Sequence, residues 1–415
     1  RAGAARHRRM TEGPKPGALA GVKVLDLSRV LAGPWATQIL GDLGAEVLKI
    51  EQPGQGDDTR RWGPPALADD SGDSAYFLCA NRNKRSLAID LAQPEGADLI
   101  RRLVAESDVV VENFRVGGLA KYGLDYAALS AINPRLVYCS ITGFGQDGPY
   151  KDKGGYDFLI QAMGGLMSVT GEADGPPMKV GVPIVDLFTG TYATVAILAA
   201  LRHRDATGQG QHIDCALLDT QLAMMSNQAS NYLNGGAVPG RMGNDHPNIV
   251  PYRDYATADG EIVVALGNDR QFRDFLRVLR LDTLGEDPRF ASVALRSANR
   301  AALHAHLAPA VARWRSDDLV AAMEAAKLPA GKVNGLPEIL ADAHVVHRAI
   351  VQPMARQDGT ALNVVAFPVK LSGTPARYDR APPRAGADTR AALSETLGLS
   401  EEALAQLAAK GVIPR

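Results

Sequence analysis

Residues 22–51 read VKVLDLSRVLAGPWATQILGDLGAEVLKIE, and two structural periods alternate within them. Val22 to Leu27 and Glu46 to Glu51 are short runs of β-branched and aliphatic residues, which is typical of buried strands. Trp35 to Leu43, between them, carries apolar residues at helical spacing. A strand, a helix and a second strand in this order indicate a βαβ unit with parallel strands.

The same alternation continues through the first third of the chain. Further strands are predicted at Ser86 to Leu91, Asp108 to Glu112 and Leu136 to Ile141, and a helix is predicted at Gly96 to Glu106. We therefore predict an α/β fold with a doubly wound, Rossmann-like parallel sheet.

Dinucleotide binding is a common function of such a sheet. Glu51 ends the second strand, where a ribose-binding acid would stand. The first loop, SRVLAGP at 28–34, lacks the G-x-G-x-x-G that lets backbone approach a pyrophosphate. Pro34 instead suits the first turn of a helix. We therefore exclude NAD and interpret Glu51 as a solvated strand end.

Composition narrows the class of protein. The 415 residues carry a net charge of −1, which gives no global basic field for a nucleic acid or an anionic membrane surface. Three scattered cysteines form neither a disulfide framework nor a zinc pattern, and they fit a reducing, cytoplasmic compartment. Tyr192 to Leu201 is shorter than the about 20 apolar residues that span a bilayer, so no membrane anchor is predicted.

The first nine residues, RAGAARHRR, precede Met10 and lack the apolar core of a signal peptide. We interpret them as a leader that is either an addition to the natural chain or the rest of a transit peptide. A transit peptide would place the protein in an organelle matrix.

The length predicts two domains, because single cores stop growing at roughly 250–300 residues. A hairpin that turns at Asp259-Gly260, followed by helical runs, indicates a smaller α+β domain. The predicted ranges are 18–230 for the first part of the large domain, 249–336 for the small domain and 337–415 for a return segment. Two helices around Ser400 are expected to complete the large domain.

Asp186 follows a predicted extended piece, Met178 to Val185, and precedes a predicted helix from Phe188 to His203. That helix is apolar all round, which predicts that it is buried. A carboxylate at its start would be held ionised by the free N–H groups and the helix dipole, as a carboxylate nucleophile requires. The alternative is a helix cap worth about 1 kcal/mol and no chemistry.

Ordered motifs along the chain resemble the class III CoA-transferases, the family of formyl-CoA transferase and carnitine CoA-transferase. The resemblance runs from about Leu19 to Ile413. The matching pieces are VLDLSRVLAGP at 24–34, GDLGAEVLKIE at 41–51, NKRS at 83–86, VENF at 111–114, SITGFG at 140–145 and TGQGQ at 207–211.

The resemblance implies that Asp186 attacks the thioester and then carries CoA, with no metal and no cofactor beyond CoA as substrate. It also implies an interlocked homodimer, with acyl-CoA and carboxylate substrates. It assigns the CoA contacts to Leu31, Ala32, Gln52, Ile89, Asp90, Asn113, Phe114, Arg115, Lys121, Tyr156 and Asp157. Leu31, Gln52 and Lys121 replace a glutamine and two arginines of formyl-CoA transferase, which argues against formyl transfer.

Two other functions stay open at this point. A 2-methylacyl-CoA racemase shares the fold but carries a histidine where this chain has Tyr156, and tyrosine, with a pKa of about 10, is a poor base at neutral pH. A non-catalytic CoA-binding protein would keep Asn113 and Lys121 and make Asp186 dispensable.

The motifs HPNIVPY at 246–252 and GNDRQF at 267–272 look most similar to the succinyl-CoA:glutarate (hydroxymethylglutarate) branch of the family. We therefore expect succinyl-CoA or a similar donor and a dicarboxylic acid acceptor. The distal carboxylate needs a cation or a donor, and the candidates for that role are Arg85, His246, Asn248 and Arg270.

Overall fold

The computed structural model describes residues 16–415, so the basic leader lies outside the described residues. The chain forms two compact units. The first runs to Gly164, resumes over Gly181–Ser226 and includes Arg348–Arg415. The second comprises Gly165–Val180 and Asn227–His347.

A six-stranded parallel sheet is the centre of the first unit, with the strand order β3-β2-β1-β4-β5-β6. Its strands are β1 (Lys23–Asp26), β2 (Glu46–Glu51), β3 (Lys84–Ala88), β4 (Val109–Glu112), β5 (Val137–Thr142) and β6 (Gln211–Ala216). This is the doubly wound order of Rossmann-like folds, which confirms the predicted fold class and its first five strands. The sixth strand, QHIDCA, was not predicted.

Helices cover both faces of this sheet. They are α1 (Ala32–Asp42), α2 (Ala75–Leu78), α3 (Pro94–Ala105), α4 (Tyr126–Ile132), α5 (Asp157–Met163), α6 (Ile184–Thr207) and α7 (Leu217–Met224). On one face, Val111 and Val137 share a core with Ile197 of α6. On the other face, Val110 shares a core with Ile100 of α3. The central strands are therefore apolar on both sides, as their continuous aliphatic runs predicted.

The structure corrects the prediction for the segment around Asp186. Residues 178–183 form no strand, and α6 begins at Ile184, four residues before the predicted start at Phe188. Ile197 lies in the core, whereas Tyr192 and Val195 are exposed, so the prediction of a helix buried all round was wrong. Gly190 lets α6 approach α1 closely, since an added Cβ would lie 2.5 Å from the carbonyl oxygen of Ala32.

The length and composition of α6 alone would allow it to cross a bilayer, with a mean hydropathy of 1.8 over its most apolar 18 residues. The apolar helix is therefore longer than Tyr192 to Leu201, the stretch that was predicted to be too short to span a bilayer. Core helices of globular proteins meet the same criterion. In this structure α6 packs on α1, β5 and β6, as a core helix does.

The second unit contains a three-stranded antiparallel sheet and several helices. Its elements are α8 (Ser226–Gly235), which begins at the unit boundary, β7 (Tyr252–Ala256), β8 (Glu261–Ala265), α9 (Asp269–Leu279), α10 (Val293–Ala298), α11 (Arg300–Val311), α12 (Ser316–Ala325), β9 (Ala330–Lys332), α13 (Leu336–Ala341) and α14 (Ala343–His347). The hairpin of β7 and β8 and the helices after it follow the sequence prediction, and Phe272, Phe275 and Leu303 are fully buried between them.

The return segment adds β10 (Val351–Ala355), β11 (Ala361–Val365), α15 (Thr389–Leu397) and α16 (Glu401–Ala409) to the first unit. The two predicted C-terminal helices are present, and the Ser400 hydroxyl caps the second of them by accepting the N–H of Ala403.

The unit boundaries differ from the predicted ranges. The first unit leaves the sheet region at Ser226 rather than residue 230, and the second unit resumes at Asn227 rather than residue 249. Residues 165–180 belong to the second unit, because the N–H of Gly243 donates to Gly171 O (2.9 Å) and Arg241 donates to Glu172 O. The return to the first unit comes at Arg348 rather than residue 337, because α13 and α14 still belong to the second unit.

Opposite charges are buried beside the carboxyl ends of β1 and β2. Lys84 Nζ lies 3.0 Å from Asp26 Oδ2, and Lys49 Nζ lies 2.9 Å from Asp57 Oδ2. Glu51 accepts two hydrogen bonds from the Arg60 guanidinium, each at 2.7 Å. Glu51 is only 4% exposed, so its interpretation as a solvated strand end was wrong. It is one half of a bidentate ion pair.

We expect Lys84→Met to lower the free energy of unfolding by about 3–5 kcal/mol, because it leaves Asp26 charged and unpaired in the core. Urea unfolding at neutral pH measures the change. Lys23→Met, the same substitution at an exposed end of β1, is the matched control and should change stability by less than about 0.5 kcal/mol. Equal effects of the two substitutions would contradict a structural role for the buried pair.

Candidate active site

A cavity of about 270 Å³ lies where the strand order of the sheet reverses, which is where ligands bind in doubly wound sheets. We call it the switch-point cavity. Residues that follow β1, β4 and β5 line it, together with Asp186 from the first turn of α6. The lining includes Arg29, Val30, Leu31, Ala32, Asp58, Asn113, Phe114, Arg115, Thr142, Gly143, Lys151, Lys153, Gly155, Tyr156, Asp186 and Leu217.

The loop after β1 is fixed in place by three side chains. Lys49 Nζ donates to the carbonyl of Ser28 (2.9 Å), and Asp57 Oδ1 accepts the N–H of Val30 (3.3 Å). The Asn113 amide both accepts from and donates to the main chain of Arg29. Val30 has a φ of 71°, a strained conformation for a β-branched residue. Such strain persists only where surrounding contacts impose it, as these do.

Asp186 is the third residue of α6 and not its cap, which corrects the sequence prediction. The cap position is Pro183, which has no side chain to accept a hydrogen bond. Asp157 supplies the missing acceptor: its Oδ1 accepts the N–H groups of Val185 (2.7 Å) and Asp186 (3.2 Å). A carboxylate from another segment therefore caps the helix and leaves the Asp186 carboxylate facing the cavity.

Burial, and after it the charge of the neighbouring Asp157, together raise the pKa of Asp186 to about 7. The expectation that the helix start keeps Asp186 fully ionised was therefore wrong. At neutral pH about half of the molecules carry the anion. A carboxyl group with a pKa near the working pH, in a cavity, is typical of a functional site.

The segment that carries Tyr156 and Asp157 is fixed by a contact between two glycines. A Cβ on Gly143, at the end of β5, would lie 2.6 Å from Gly155 Cα. Neither position therefore has room for a side chain. This close approach brings Tyr156, two-thirds exposed, to the cavity wall and Asp157 to the start of α6.

Glu112, at the end of β4, fixes the loop that follows it. Its Oε2 accepts the N–H of Phe114 (2.8 Å), and Phe114 lines the switch-point cavity. Glu112 is 6% exposed, and burial raises its pKa to about 7. Ser140, beside it on β5, contacts His212 of β6 at 2.9 Å.

A second cavity of about 250 Å³ adjoins the first, and we call it the strand-end cavity. The residues that follow β1, β2 and β3 line it, including Gln52, Ile89 and Asp90. Arg29, Asp58 and Phe114 line both cavities.

The structure brings together most of the site residues that were predicted in the first unit. Leu31, Ala32, Asn113, Phe114, Arg115, Tyr156 and Asp186 line the switch-point cavity, while Gln52, Ile89 and Asp90 line the strand-end cavity. Lys121 lies over the ring of Tyr122 (4.7 Å) and lines neither cavity. Asp157 serves as the helix cap described above. Their assignment to CoA stays a prediction.

Arg85 lines neither the switch-point cavity nor the strand-end cavity, which argues against its assignment to the distal carboxylate. It lines a separate cavity and pairs with Glu395 at 2.7 Å and with Asp388 and Glu46 at 3.7 Å each. Three carboxylates therefore compensate its charge. The NKRS motif gave no sign of these partners, because two of them lie about 300 residues later.

The other three candidates for the distal carboxylate belong to the second unit. His246 Nδ1 accepts the N–H groups of Asn248 (3.0 Å) and Ile249 (3.2 Å), so it stabilises a turn. Asn248 exchanges hydrogen bonds with Asn231. Arg270 is exposed, 3.9 Å from Asp274. Their role in substrate binding stays a prediction.

Sequence reasoning missed two cations, Lys151 and Lys153, in the loop GPYKDKGG at 148–155. Both line the switch-point cavity with Asp186. A pair of lysines in a glycine-rich loop before the Tyr156-Asp157 segment was the available signal.

Comparison with known proteins identifies the family. The sequence profile described as CoA-transferase family III matches residues 19–389. The chain belongs to this family. It is 48% identical over 380 residues to the succinate–glutarate CoA-transferase of Agrobacterium fabrum, a match that covers 91% of this chain and 95% of that one. It is 41% identical over 395 residues to the succinyl-CoA:glutarate CoA-transferase of Homo sapiens, a match that covers 95% of this chain and 90% of the human protein.

A solved structure agrees with this assignment. The crystal structure of a CAIB/BAIF family protein from Brucella suis matches with a TM-score of 0.81 and 47% identity, covering 92% of this chain and all of that one. The family III transferase described here is therefore an enzyme that transfers CoA.

Glu112→Gln tests the buried carboxyl group. Because the folded-state pKa of about 7 exceeds the unfolded value of about 4.3, wild-type stability falls as pH rises between these values. The variant keeps an acceptor for Phe114 but cannot ionise. At pH 8 its free energy of unfolding should exceed that of the wild type by roughly 3 kcal/mol, with little difference near pH 4. A pH-independent difference in urea unfolding would contradict the assignment.

Asp157→Asn tests the contribution of the Asp157 charge to the raised pKa of Asp186. Asparagine still caps α6 but carries no charge, so the pKa of Asp186 should fall. Carbon-13 NMR titration of the aspartate carboxyl groups measures it, with the signal assigned by its loss in Asp186→Asn. Asp152→Asn, in the preceding loop, is the matched control and should leave the midpoint in place. An unchanged midpoint in Asp157→Asn would contradict the coupling.

Proposed function

We propose that this transferase moves CoA from succinyl-CoA to a dicarboxylic acid such as glutarate, with Asp186 as the covalent carrier. The observation that carries the proposal is a partly ionised carboxylate in a cavity at the switch point of the sheet. Arg115, Lys151 and Lys153 line the same cavity and form no ion pair with any residue in 16–415. The two relatives named above act, by their names, on succinyl and glutarate groups.

The proposed reaction begins with attack on the donor. A carboxylate oxygen of Asp186 bonds to the thioester carbonyl carbon, the C–S bond breaks, and CoA leaves as the thiolate. The product is a mixed anhydride of Asp186 and the succinyl group. The thiolate then attacks the Asp186 carbonyl carbon and succinate leaves as a carboxylate, so that Asp186 holds CoA as a thioester.

The second half reverses these steps with the new acid. The acceptor carboxylate attacks the Asp186 thioester and releases the CoA thiolate, which gives an anhydride of Asp186 and the acceptor. The thiolate attacks the acceptor carbonyl, the bond to Asp186 breaks, and the Asp186 carboxylate is restored. No proton or electron is gained or lost, so we propose no cofactor beyond CoA as substrate.

The raised pKa of Asp186 suits its proposed role as the nucleophile. A carboxylate whose conjugate acid has a pKa of about 7 is a stronger nucleophile than an ordinary aspartate, and about half of it is ionised at neutral pH. Backbone N–H groups of the glycines beside it, Gly154 and Gly155, are candidates to stabilise the tetrahedral oxyanion.

The two adjoining cavities suggest a path for CoA. We propose that the nucleotide end occupies the strand-end cavity, beside Gln52, Ile89 and Asp90, and that the pantetheine arm passes Phe114 to reach Asp186. Arg115 and Lys121 stay proposed contacts for the phosphates. We further propose an interlocked homodimer and a cytoplasmic or organelle-matrix location, as the family resemblance implies.

The test is an exchange assay with succinyl-CoA and carbon-13-labelled glutarate in deuterated water, read by mass spectrometry. We expect labelled glutaryl-CoA without deuterium at the α-carbon. Asp186→Asn should lower the rate by at least about 10³-fold, because an amide is a far weaker nucleophile than a carboxylate. The trapped wild-type enzyme should carry CoA on the peptide that contains Asp186.

Asp205→Asn, at the other end of α6, is the matched control and should keep the wild-type rate. Deuterium exchange without label transfer would establish the racemase in place of the transferase. Binding of CoA with neither activity would indicate a binding protein. Label transfer that survives Asp186→Asn would rule out the covalent mechanism.

A further inference from the structure

The switch-point cavity carries more positive charge than its own acids neutralise. Arg29, Arg115, Lys151 and Lys153 line it, against Asp58 and Asp186. Arg29 is compensated, since Nη1 lies 3.3 Å from Asp58. Within residues 16–415, Lys151 and Arg115 form neither an ion pair nor a side-chain hydrogen bond, and the Lys153 ammonium lies over the Tyr150 ring at 3.7 Å. The cavity is therefore complementary to an anion.

From this placement we infer that Lys151 and Lys153 bind the second, non-reacting carboxylate of the acid substrate. The inference rests on the proposed function, because it takes Asp186 as the group that reacts with the first carboxylate. It replaces Arg85, which its three carboxylate partners occupy.

The sheet topology separates the lysines from the proposed nucleotide position. The strand-end cavity lies at the ends of β1, β2 and β3, whereas the lysine loop follows β5 on the other side of the switch point. Neither lysine lines the strand-end cavity. Arg29, by contrast, lines both cavities, and Arg115 follows β4, the strand directly at the switch point. The lysines are thus placed to meet the acyl end of the substrate.

Lysine suits this task. Its ammonium is a compact point charge on a flexible stem, and it needs no fixed angle to a carboxylate. Two such groups in the lining of one cavity can hold the far carboxylate of acids with different chain lengths. They would also hold the free carboxylate of the succinyl donor, so one subsite serves both half-reactions. An acid without a second carboxylate gains nothing from them.

The experiment compares glutarate with pentanoate, which has the same carbon number and one carboxylate. For the wild type and Lys151→Gln/Lys153→Gln, kcat/KM is measured with each acid, and the inhibition constant of pentanoate against glutarate is determined. We expect the ratio of kcat/KM for glutarate to kcat/KM for pentanoate to fall about tenfold in the variant, which corresponds to the loss of one charge-assisted contact. The change should come from a higher KM for glutarate. The inhibition constant of pentanoate should stay unchanged.

Three further measurements separate the alternatives. First, calorimetry measures the dissociation constant of free CoA, which should be the same for Lys151→Gln/Lys153→Gln and the wild type. Weaker CoA binding by the variant, with an unchanged preference for glutarate, would overturn the inference and assign the lysines to the CoA phosphates. Lys151→Arg/Lys153→Arg should restore the preference for glutarate. Lys23→Gln, an exposed lysine on β1 away from both cavities, should leave all constants unchanged.

Failure of the inference is distinct from failure of the proposed function. Label transfer by the wild type with an unchanged acid preference in the lysine variant would overturn the inference alone. Absence of transfer by the wild type would overturn both.

Discussion

The buried pair of Lys49 and Asp57 is the interaction on which the site geometry depends. Lys49 holds the carbonyl of Ser28, and Asp57 holds the N–H of Val30, so one ion pair fixes both ends of the strained turn after β1. Burial of two charges is costly unless each has an excellent partner. Lys49 and Asp57 each contact the opposite charge and also a main-chain group of the turn. The pair therefore fixes the wall of the cavity in addition to any effect on stability.

The same principle extends through the first unit. Glu51 and Arg60 link β2 to the segment after it, and Arg60 continues to Asp73, which also pairs with Arg356 of the return segment. The C-terminal part of the chain is therefore joined to the first third by a continuous run of buried charges.

Sequence patterns predicted the elements that depend on local periodicity. The first five strands were predictable because parallel strands buried on both faces read as aliphatic runs. The sixth was not, because the strand at the sheet edge, QHIDCA, is half polar and half exposed. The small α+β unit and the two C-terminal helices were also predictable, since hairpin turns and helix caps are local signals.

Long-range contacts account for what the sequence could not predict about the site. Asp186 was correctly placed at the start of a helix, but the residue that caps this helix is Asp157, which lies 29 residues earlier. The pKa of Asp186 is raised first by burial and then by the Asp157 charge, and both effects depend on tertiary contacts. Arg85 had the right charge for a substrate, yet residues far along the chain compensate it. Lys151 and Lys153 became notable only when folding brought their loop to Asp186.

The contact between Gly143 and Gly155 has a consequence for how such an enzyme can diversify. The chain between them leaves the end of β5 and returns to the same point, so the ends of this segment lie close together, as in an Ω-loop. Its length and composition can change without moving the Tyr156-Asp157 segment or the start of α6. The segment that carries Lys151 and Lys153 can therefore vary in sequence while the surrounding frame stays fixed. Under the role proposed for these lysines, preference for the acceptor could change there without a change at Asp186.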